Sequence, residues 1–202
     1  MTTVDVGQIG IYWAVMILVA LGANLSDPKI GSPLDACERA LERLSARGVA
    51  VNNRSRWYRS APVPRSAQPD FVNGVASVSS DLSPTGLLAI LQEIETELGR
   101  TRDLVDQARV IDLDLLAHGD EVIGWPDSAS LGGNLDQDPS GNLIVPHPRL
   151  HLRAFVLMPL RDVAPHWRHP VTGQDIETMM KAISIGSRTK VGFHDQICEP
   201  LK

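Results

Sequence analysis

The first apolar stretch of the chain, Ile9–Leu21, carries no charged residue and ends at the turn Gly22–Asn24. A bilayer span takes about 20 residues, so this stretch is too short to cross a membrane. No Lys or Arg precedes Lys29, so the positive flank of a secretion signal is also missing. The pattern therefore predicts a buried strand over 14–23, and residues 1–13 are expected to form an N-terminal extension.

A helical spacing of apolar residues follows twice, each time behind a Ser-Pro pair. Ser32–Pro33 and Ser83–Pro84 supply an N-cap serine and a proline at the first helical position. Gly48 and Gly99 follow the last apolar positions, as expected where a helix ends. We predict one helix between Pro33 and Gly48 and another between Pro84 and Gly99.

The remaining apolar segments of this region have the spacing of strands, over 49–58, 71–79 and 109–116, and a proline-containing loop joins the first two. The order strand, helix, strand, strand, helix, strand is that of the ferredoxin-like split βαβ arrangement. We therefore predict an α+β fold in which two helices pack on one face of an antiparallel sheet.

The second half of the chain is less regular. A segment rich in Gly, Asp, Ser and Asn, 119–142, predicts a long loop, and two helices are expected around 149–160 and 173–183. We predict a single domain over 14–185 and a C-terminal tail over 186–202.

Composition narrows the possible partners. The chain has 202 residues and a formal charge of −5, which argues against a nucleic-acid coat protein or a polybasic membrane binder. The two cysteines, Cys37 and Cys198, cannot form a disulfide framework, so we expect a cytoplasmic protein. Aromatic residues make up only 4% of the chain, so each one outside the core needs an explanation.

The segment Ile111–Leu116 carries the most distinctive polar pattern. Strand alternation places Asp112 and Asp114 on one face, with Cα atoms about 6–7 Å apart. Two carboxylates at this spacing can bind Mg²⁺, which is commonly shared with substrate phosphates. The same pattern is also compatible with a strand whose polar face is simply solvated.

Arginines surround this pair. Arg100 and Arg102 follow the second predicted helix, and Arg109 precedes Asp112 by three positions. Arginine binds phosphate in a bidentate manner, so the cluster suits a polyphosphate, although cations are also favoured at any helix C-terminus. Strict alternation places Arg109 on the face opposite the aspartates unless the strand begins after it or twists there. No P-loop or kinase motif is present.

Several segments together resemble the 6-hydroxymethyl-7,8-dihydropterin pyrophosphokinase family, whose fold is also ferredoxin-like. They occur in the family's order between Ala20 and about Pro170: Ala20–Leu25 (ALGANL), Ser55–Pro62 (SRWYRSAP), Gln68–Gly74 (QPDFVNG), Gly99–Arg102 (GRTR), Ala108–Leu116 (ARVIDLDLL) and Val145–Phe155 (VPHPRLHLRAF).

The resemblance implies transfer of diphosphate from ATP to 6-hydroxymethyl-7,8-dihydropterin with release of AMP. It further implies two Mg²⁺ ions held by Asp112 and Asp114, and small molecules rather than nucleic acid or membrane as partners. The implied catalytic residues are Arg100, Arg109, Asp112 and Asp114. The implied ATP contacts are Gln92, Glu95, Arg102, Arg109, His147 and Arg153. The implied pterin contacts are Ser60, Ala61, Phe71, Asn73 and Phe155.

This sequence departs from the family's pattern before the metal strand, where Asp106–Ala108 replaces the usual Trp-Gly-Pro and the segment is one residue short. That departure keeps a second hypothesis open, a non-catalytic relative that binds pterin or nucleotide. A third is a metal-dependent sugar transferase that uses the same two aspartates.

Overall fold

The computed structural model describes residues 15–100, 108–125, 143–189 and 198–201. Its elements, in chain order, are β1 (Ile17–Ala23), α1 (Pro33–Ala46), β2 (Ala50–Arg54), β3 (Tyr58–Ser60), β4 (Phe71–Ser79), α2 (Pro84–Glu97), β5 (Asp112–His118), a 3₁₀ turn (Leu150–Leu152), α3 (Ala154–Val163), α4 (Ile176–Thr189) and β6 (Cys198–Pro200).

The strands form one antiparallel sheet in the order β5-β1-β4-β3-β6, and β2 pairs with the other end of β4. The ferredoxin-like α+β prediction is confirmed. In the central register Gly22 faces Asp112 on one side and Asn73 on the other. The side chains of Asn73 and Asp112 therefore flank Gly22 near the C-terminal end of β1.

Strand β1 is buried on both faces, which accounts for its uninterrupted apolar sequence. Ile17, Val19 and Leu21 pack with the buried residues of α1 and α2. Leu18 and Ala20 point the other way, into a second cluster with α3 and α4. The predicted pair of helices thus covers one face, and the C-terminal helices cover part of the other.

Both predicted helix starts are confirmed. The Ser32 hydroxyl accepts a hydrogen bond from the backbone N–H of Asp35, whose carboxylate accepts one from the N–H of Ser32. Ser83 caps α2 by accepting from the N–H of Gly86. The glycines that follow the two helices have φ of 78° at position 48 and 83° at position 99, a region that favours glycine.

The predicted strand over 49–58 is wrong in one respect, because it is divided into β2 and β3. The N–H of Ser55 donates to the carbonyl of Val75, but the N–H of Val75 donates to the Ser55 hydroxyl rather than to a backbone carbonyl. A side-chain oxygen thus replaces one backbone acceptor at this point. The strand bends there, as at a β-bulge.

Other boundaries also shift. The strand predicted over 109–116 is corrected to Asp112–His118. The helix expected around 149–160 is a 3₁₀ turn followed by α3. The last helix runs to Thr189 rather than ending at residue 183. Cys198–Pro200, predicted as tail, pairs with β3 at the sheet edge.

Residues 1–14, most of the predicted loop 119–142 and part of the predicted tail lie outside the described residues. Among the helices that are described, none combines the length and the apolar character that crossing a membrane requires.

Gly74 provides a test of packing across the bend. A Cβ at this position would lie 2.4 Å from Cζ3 of Trp57, whose indole N–H donates to the Glu38 carboxylate. Because the ring is held in place, we expect Gly74→Ala to lower the free energy of unfolding by about 1–3 kcal/mol. Gly86→Ala, which meets only ordinary contacts, is the control and should stabilise by up to about 1 kcal/mol. Urea unfolding measures both, and equal stability of the two variants would contradict the packing described.

Candidate active site

A cavity of about 210 Å³ opens on the sheet where β1 ends and where β4 and β5 begin. Its lining comes from the strands, from the loop after β3 and from the segment that leads into α3. The lining residues are Ala20, Leu21, Gly22, Ser60, Ala61, Val63, Phe71, Asn73, Gly74, Arg100, Arg109, Asp112, Asp114, His147, Arg149, Arg153, Phe155 and Val156.

Both aspartates of β5 line this cavity. Asp112 and Asp114 lie opposite Gly22 and Ala20 of β1, whose small side chains leave open space above the sheet. Leu113 and Leu115 point to the opposite face and pack in the main core. The alternation predicted for this strand is therefore present in the structure.

Two arginines form ion pairs with Asp112, one at each carboxylate oxygen. Arg100 contacts Oδ1 at 2.5 Å, and Arg109 contacts Oδ2 at 2.7 Å. Arg100 also pairs with Glu95 of α2. These contacts bring residues from the end of α2 and from the start of β5 to one wall of the cavity.

Arg109 reaches this wall because β5 begins after it. Its backbone N–H donates to Oδ1 of Asn24 at 2.8 Å, and its carbonyl accepts from the N–H of Asn24 at 3.0 Å. Arg109 is thereby held beside the end of β1 and is not bound by the alternation of the strand. The sequence left this orientation open, and Asn24 was not among the predicted site residues.

Glu95 and Gln92 do not line the cavity. Glu95 is 2% exposed, and its carboxylate accepts from the N–H of Leu113 at 2.7 Å while it pairs with Arg100. In this position Glu95 holds the Arg100 side chain and the backbone of β5 in place from the side of α2. Arg102 lies outside the described residues.

Burial and like charge act together on Asp112. Desolvation raises the pKa of its carboxyl, and the negative charge of Asp114 raises it further, whereas Arg109 and Arg100 oppose the shift. The shift reflects mainly this burial, and Asp114 is the neighbouring charge that adds to it. A divalent cation between the two carboxylates would remove their mutual repulsion.

A second wall is more apolar. Phe71 and Phe155 both line the cavity and are half-buried. Asn73 is 5% exposed and donates to the Ser60 hydroxyl at 3.0 Å. The guanidinium carbon of Arg153 lies 5.6 Å from the centre of the Phe155 ring. The wall thus combines aromatic faces with an oriented amide.

The third wall comes from the segment before α3. The N–H of His147 donates to the carbonyl of Leu116, and Val145 pairs with Ile123, which fixes the segment against β5. Nε2 of His147 lies 4.0 Å from Asp114. Arg149, which sequence reasoning missed, also lines the cavity. Its signal was its position in the basic run that follows His147.

His147 is kept neutral by its surroundings. Burial lowers its pKa to about 3, and the positive charges of Arg153 and Arg149 act in the same direction. The Nδ1 atom accepts a hydrogen bond from the N–H of Arg149. Nε2 therefore carries the proton and is available as a donor toward the cavity.

Comparison with known proteins assigns a family to this fold and cavity. The family profile of 7,8-dihydro-6-hydroxymethylpterin-pyrophosphokinase matches residues 18–165. The chain belongs to this family. It is 43% identical over 156 residues to the 2-amino-4-hydroxy-6-hydroxymethyldihydropteridine pyrophosphokinase of Pseudomonas aeruginosa, a match that covers 76% of this chain and 83% of that relative. The enzyme of the same name from Synechocystis is 35% identical over 82% of this chain and 75% of its own length.

Solved structures agree on the fold of this family member. The wild-type HPPK-DHPS of Plasmodium falciparum matches 93% of the chain with a TM-score of 0.60 and 13% identity. Our chain spans about half of that protein, 48% of its length. At this identity the similarity bears on the fold alone.

The neutrality of His147 can be measured. With a pKa of about 3 in the folded protein against 6.5 as its ordinary value, the ring takes up a proton on unfolding between these two pH values. His147 therefore makes the folded state less stable as pH falls from 6.5 toward 3. An NMR titration of the ring, assigned with His147→Asn, should show no protonation near neutral pH. A midpoint close to 6.5 would contradict the burial described.

Proposed function

We propose that this protein transfers diphosphate from ATP to 6-hydroxymethyl-7,8-dihydropterin and releases AMP. The observation that carries the proposal is the division of one cavity into an aromatic wall and a wall of carboxylates and arginines. In the reaction the pterin hydroxyl oxygen bonds to the β-phosphorus, and the bond from that phosphorus to the α,β-bridging oxygen breaks. AMP leaves, and the hydroxyl proton is released.

The aromatic wall suits a flat heterocycle. Phe71 and Phe155 are proposed to stack on the pterin from two sides, with Asn73 binding its polar edge. Ser60 orients the Asn73 amide, and Ala61 is proposed to offer backbone contacts. Two of the scarce aromatic side chains line this open cavity, although Phe155 also packs against the second core cluster, and their presence there supports this assignment.

The charged wall suits a polyphosphate. Arg100, Arg109, Arg149 and Arg153 line the same cavity as a neutral His147 that can donate a hydrogen bond. Phosphoryl-type transfer depends on positioning and on neutralisation of charge rather than on a covalent intermediate. We propose that Arg100 and Arg109 bind the transferring group and that His147 and Arg153 bind the nucleotide. Gln92, Glu95 and Arg102 stay predictions for the nucleotide side.

The carboxylates fit bound Mg²⁺. The described residues contain no cluster of three or more His, Cys, Asp or Glu side chains that could hold a metal ion. A Mg²⁺ ion bound by Asp112 and Asp114 would therefore take its other ligands from water and from phosphate oxygens. The like charge of Asp114, which contributes to the raised pKa of Asp112, supports a cation between the two carboxylates. When bound, Mg²⁺ supplies charge neutralisation on the phosphates. We propose two such ions, and that Arg100 and Arg109 exchange Asp112 for phosphate when the nucleotide binds.

The other hypotheses have less support. A non-catalytic relative would not need the complete set of Asp112, Asp114, Arg100 and Arg109 that lines the cavity, and the relatives above are named as pyrophosphokinases. No observation on the described residues favours a sugar transferase.

The deciding assay follows AMP formation from ATP with Mg²⁺ and hydroxymethyldihydropterin. Asp112→Asn and Asp114→Asn should each lower the rate by about 10²–10⁴-fold, because several kcal/mol of charge stabilisation in the transition state is lost. Asp120→Asn, an exposed change beyond the end of β5, is the matched control and should keep the parent rate. AMP formation that does not require the pterin, or full activity in both aspartate variants, would refute the proposal.

Stacking is tested separately at Phe71. Phe71→Ala should weaken pterin binding by about 0.5–1.5 kcal/mol from lost stacking, in addition to the loss from the smaller buried area. The Kd of the nucleotide should change by less than about two-fold, since the charged wall is unaltered. Calorimetric titration with each ligand gives the comparison, with Phe71→Leu as a variant that retains bulk. Equal losses for both ligands would count against the stacked arrangement.

A further inference from the structure

We propose that Asn24 is a positioning residue that couples the aromatic wall of the cavity, which contains Phe71, to the charged wall, which contains Arg109. This inference rests on the proposed function, because it concerns how the two proposed substrates affect each other's binding. Asn24 follows the last residue of β1 and does not itself line the cavity.

The side-chain amide of Asn24 divides its hydrogen bonds between two loops. Its Oδ1 accepts from the N–H of Arg109 at 2.8 Å. Its Nδ2 donates to Oε1 of Gln68 and to the carbonyl of Pro69, both at 3.2 Å. The backbone N–H of Asn24 adds a bond to the carbonyl of Arg109 at 3.0 Å.

Each of these loops leads directly to one substrate wall. Arg109 carries the guanidinium that pairs with Asp112. Pro69 precedes Phe71 by two residues, at the start of the strand that also carries Asn73. One planar amide therefore joins the backbone that positions an arginine to the backbone that positions an aromatic ring, across more than 40 positions of sequence on either side.

Because Asn24 is buried and only 2% exposed, its hydrogen bonds to the two loops cannot easily be replaced by bonds to water. If one loop shifts without the other, a buried donor or acceptor is left unpaired, which is costly. The favourable positions of the two loops are therefore linked. A nucleotide that fixes Arg109 should also favour the pterin-binding position of the Gln68–Phe71 segment, and by reciprocity the pterin should favour nucleotide binding by the same factor.

The test measures this factor directly. Calorimetry gives the Kd of hydroxymethyldihydropterin alone and in the presence of Mg²⁺ with an ATP analogue whose α,β-bridging oxygen is replaced by methylene. We expect the parent protein to bind the pterin at least about five-fold more tightly with the analogue present. In Asn24→Ala this ratio should fall to within about two-fold of one, while the analogue alone still binds.

Two variants of Gln68 control for a merely structural effect. Gln68→Leu removes one bond on the pterin side only and should lower the ratio partway, whereas Gln68→Glu keeps an acceptor for Nδ2 and should preserve it. Thermal unfolding reports whether each variant is folded, and if Asn24→Ala is not, Gln68→Leu against Gln68→Glu carries the test.

The outcomes separate this inference from the proposed function. A ratio near one in the parent, or a parent-like ratio in folded Asn24→Ala or Gln68→Leu, would overturn the coupling even if AMP is formed. A ratio that falls as expected in a protein that forms no AMP would leave the coupling standing and refute the transfer reaction.

Discussion

The two-sided burial of β1 is the constraint on which the rest of the structure depends. Since helices cover both faces, the strand must be apolar throughout, and its neighbours on either side take their register from it. At its C-terminal end the side chains shrink to Ala20 and Gly22, and helical cover gives way to the cavity. The same strand thus organises the core and leaves open the cavity that Asp112 and Asp114 line.

Charge is the second constraint, and it is met from outside the strand. Two neighbouring carboxylates in a partly buried position are unfavourable unless cations approach them. Arg100 arrives from the end of α2, supported by the buried carboxylate of Glu95, and Arg109 arrives from the loop before β5. In the described structure both arginines form ion pairs with Asp112. They are the groups that we propose to bind the phosphates of the nucleotide.

The aromatic wall is held by a different set of bonds. Asp162 of α3 accepts from Arg56 at two oxygens and from the Tyr58 hydroxyl at 2.9 Å. This cluster joins β3 to α3, and these two elements lead to Ser60 and Phe155. Each wall consequently has its own support, and Asn24 connects them at the end of β1.

Much of this protein could be predicted from sequence, because the signals involved are local. Ser-Pro caps, glycines after helices, the alternation around Asp112 and the ordered motifs fixed the elements, the fold class and most of the residues that line the cavity. Only the tertiary structure decided the orientation of Arg109, the supporting position of Glu95, the division of β2 from β3 by Ser55 and the hydrogen-bond partners of Asn24. Each of these depends on a hydrogen bond to a residue distant in sequence, and no period or spacing along the chain encodes which buried donor meets which acceptor once the sheet has formed.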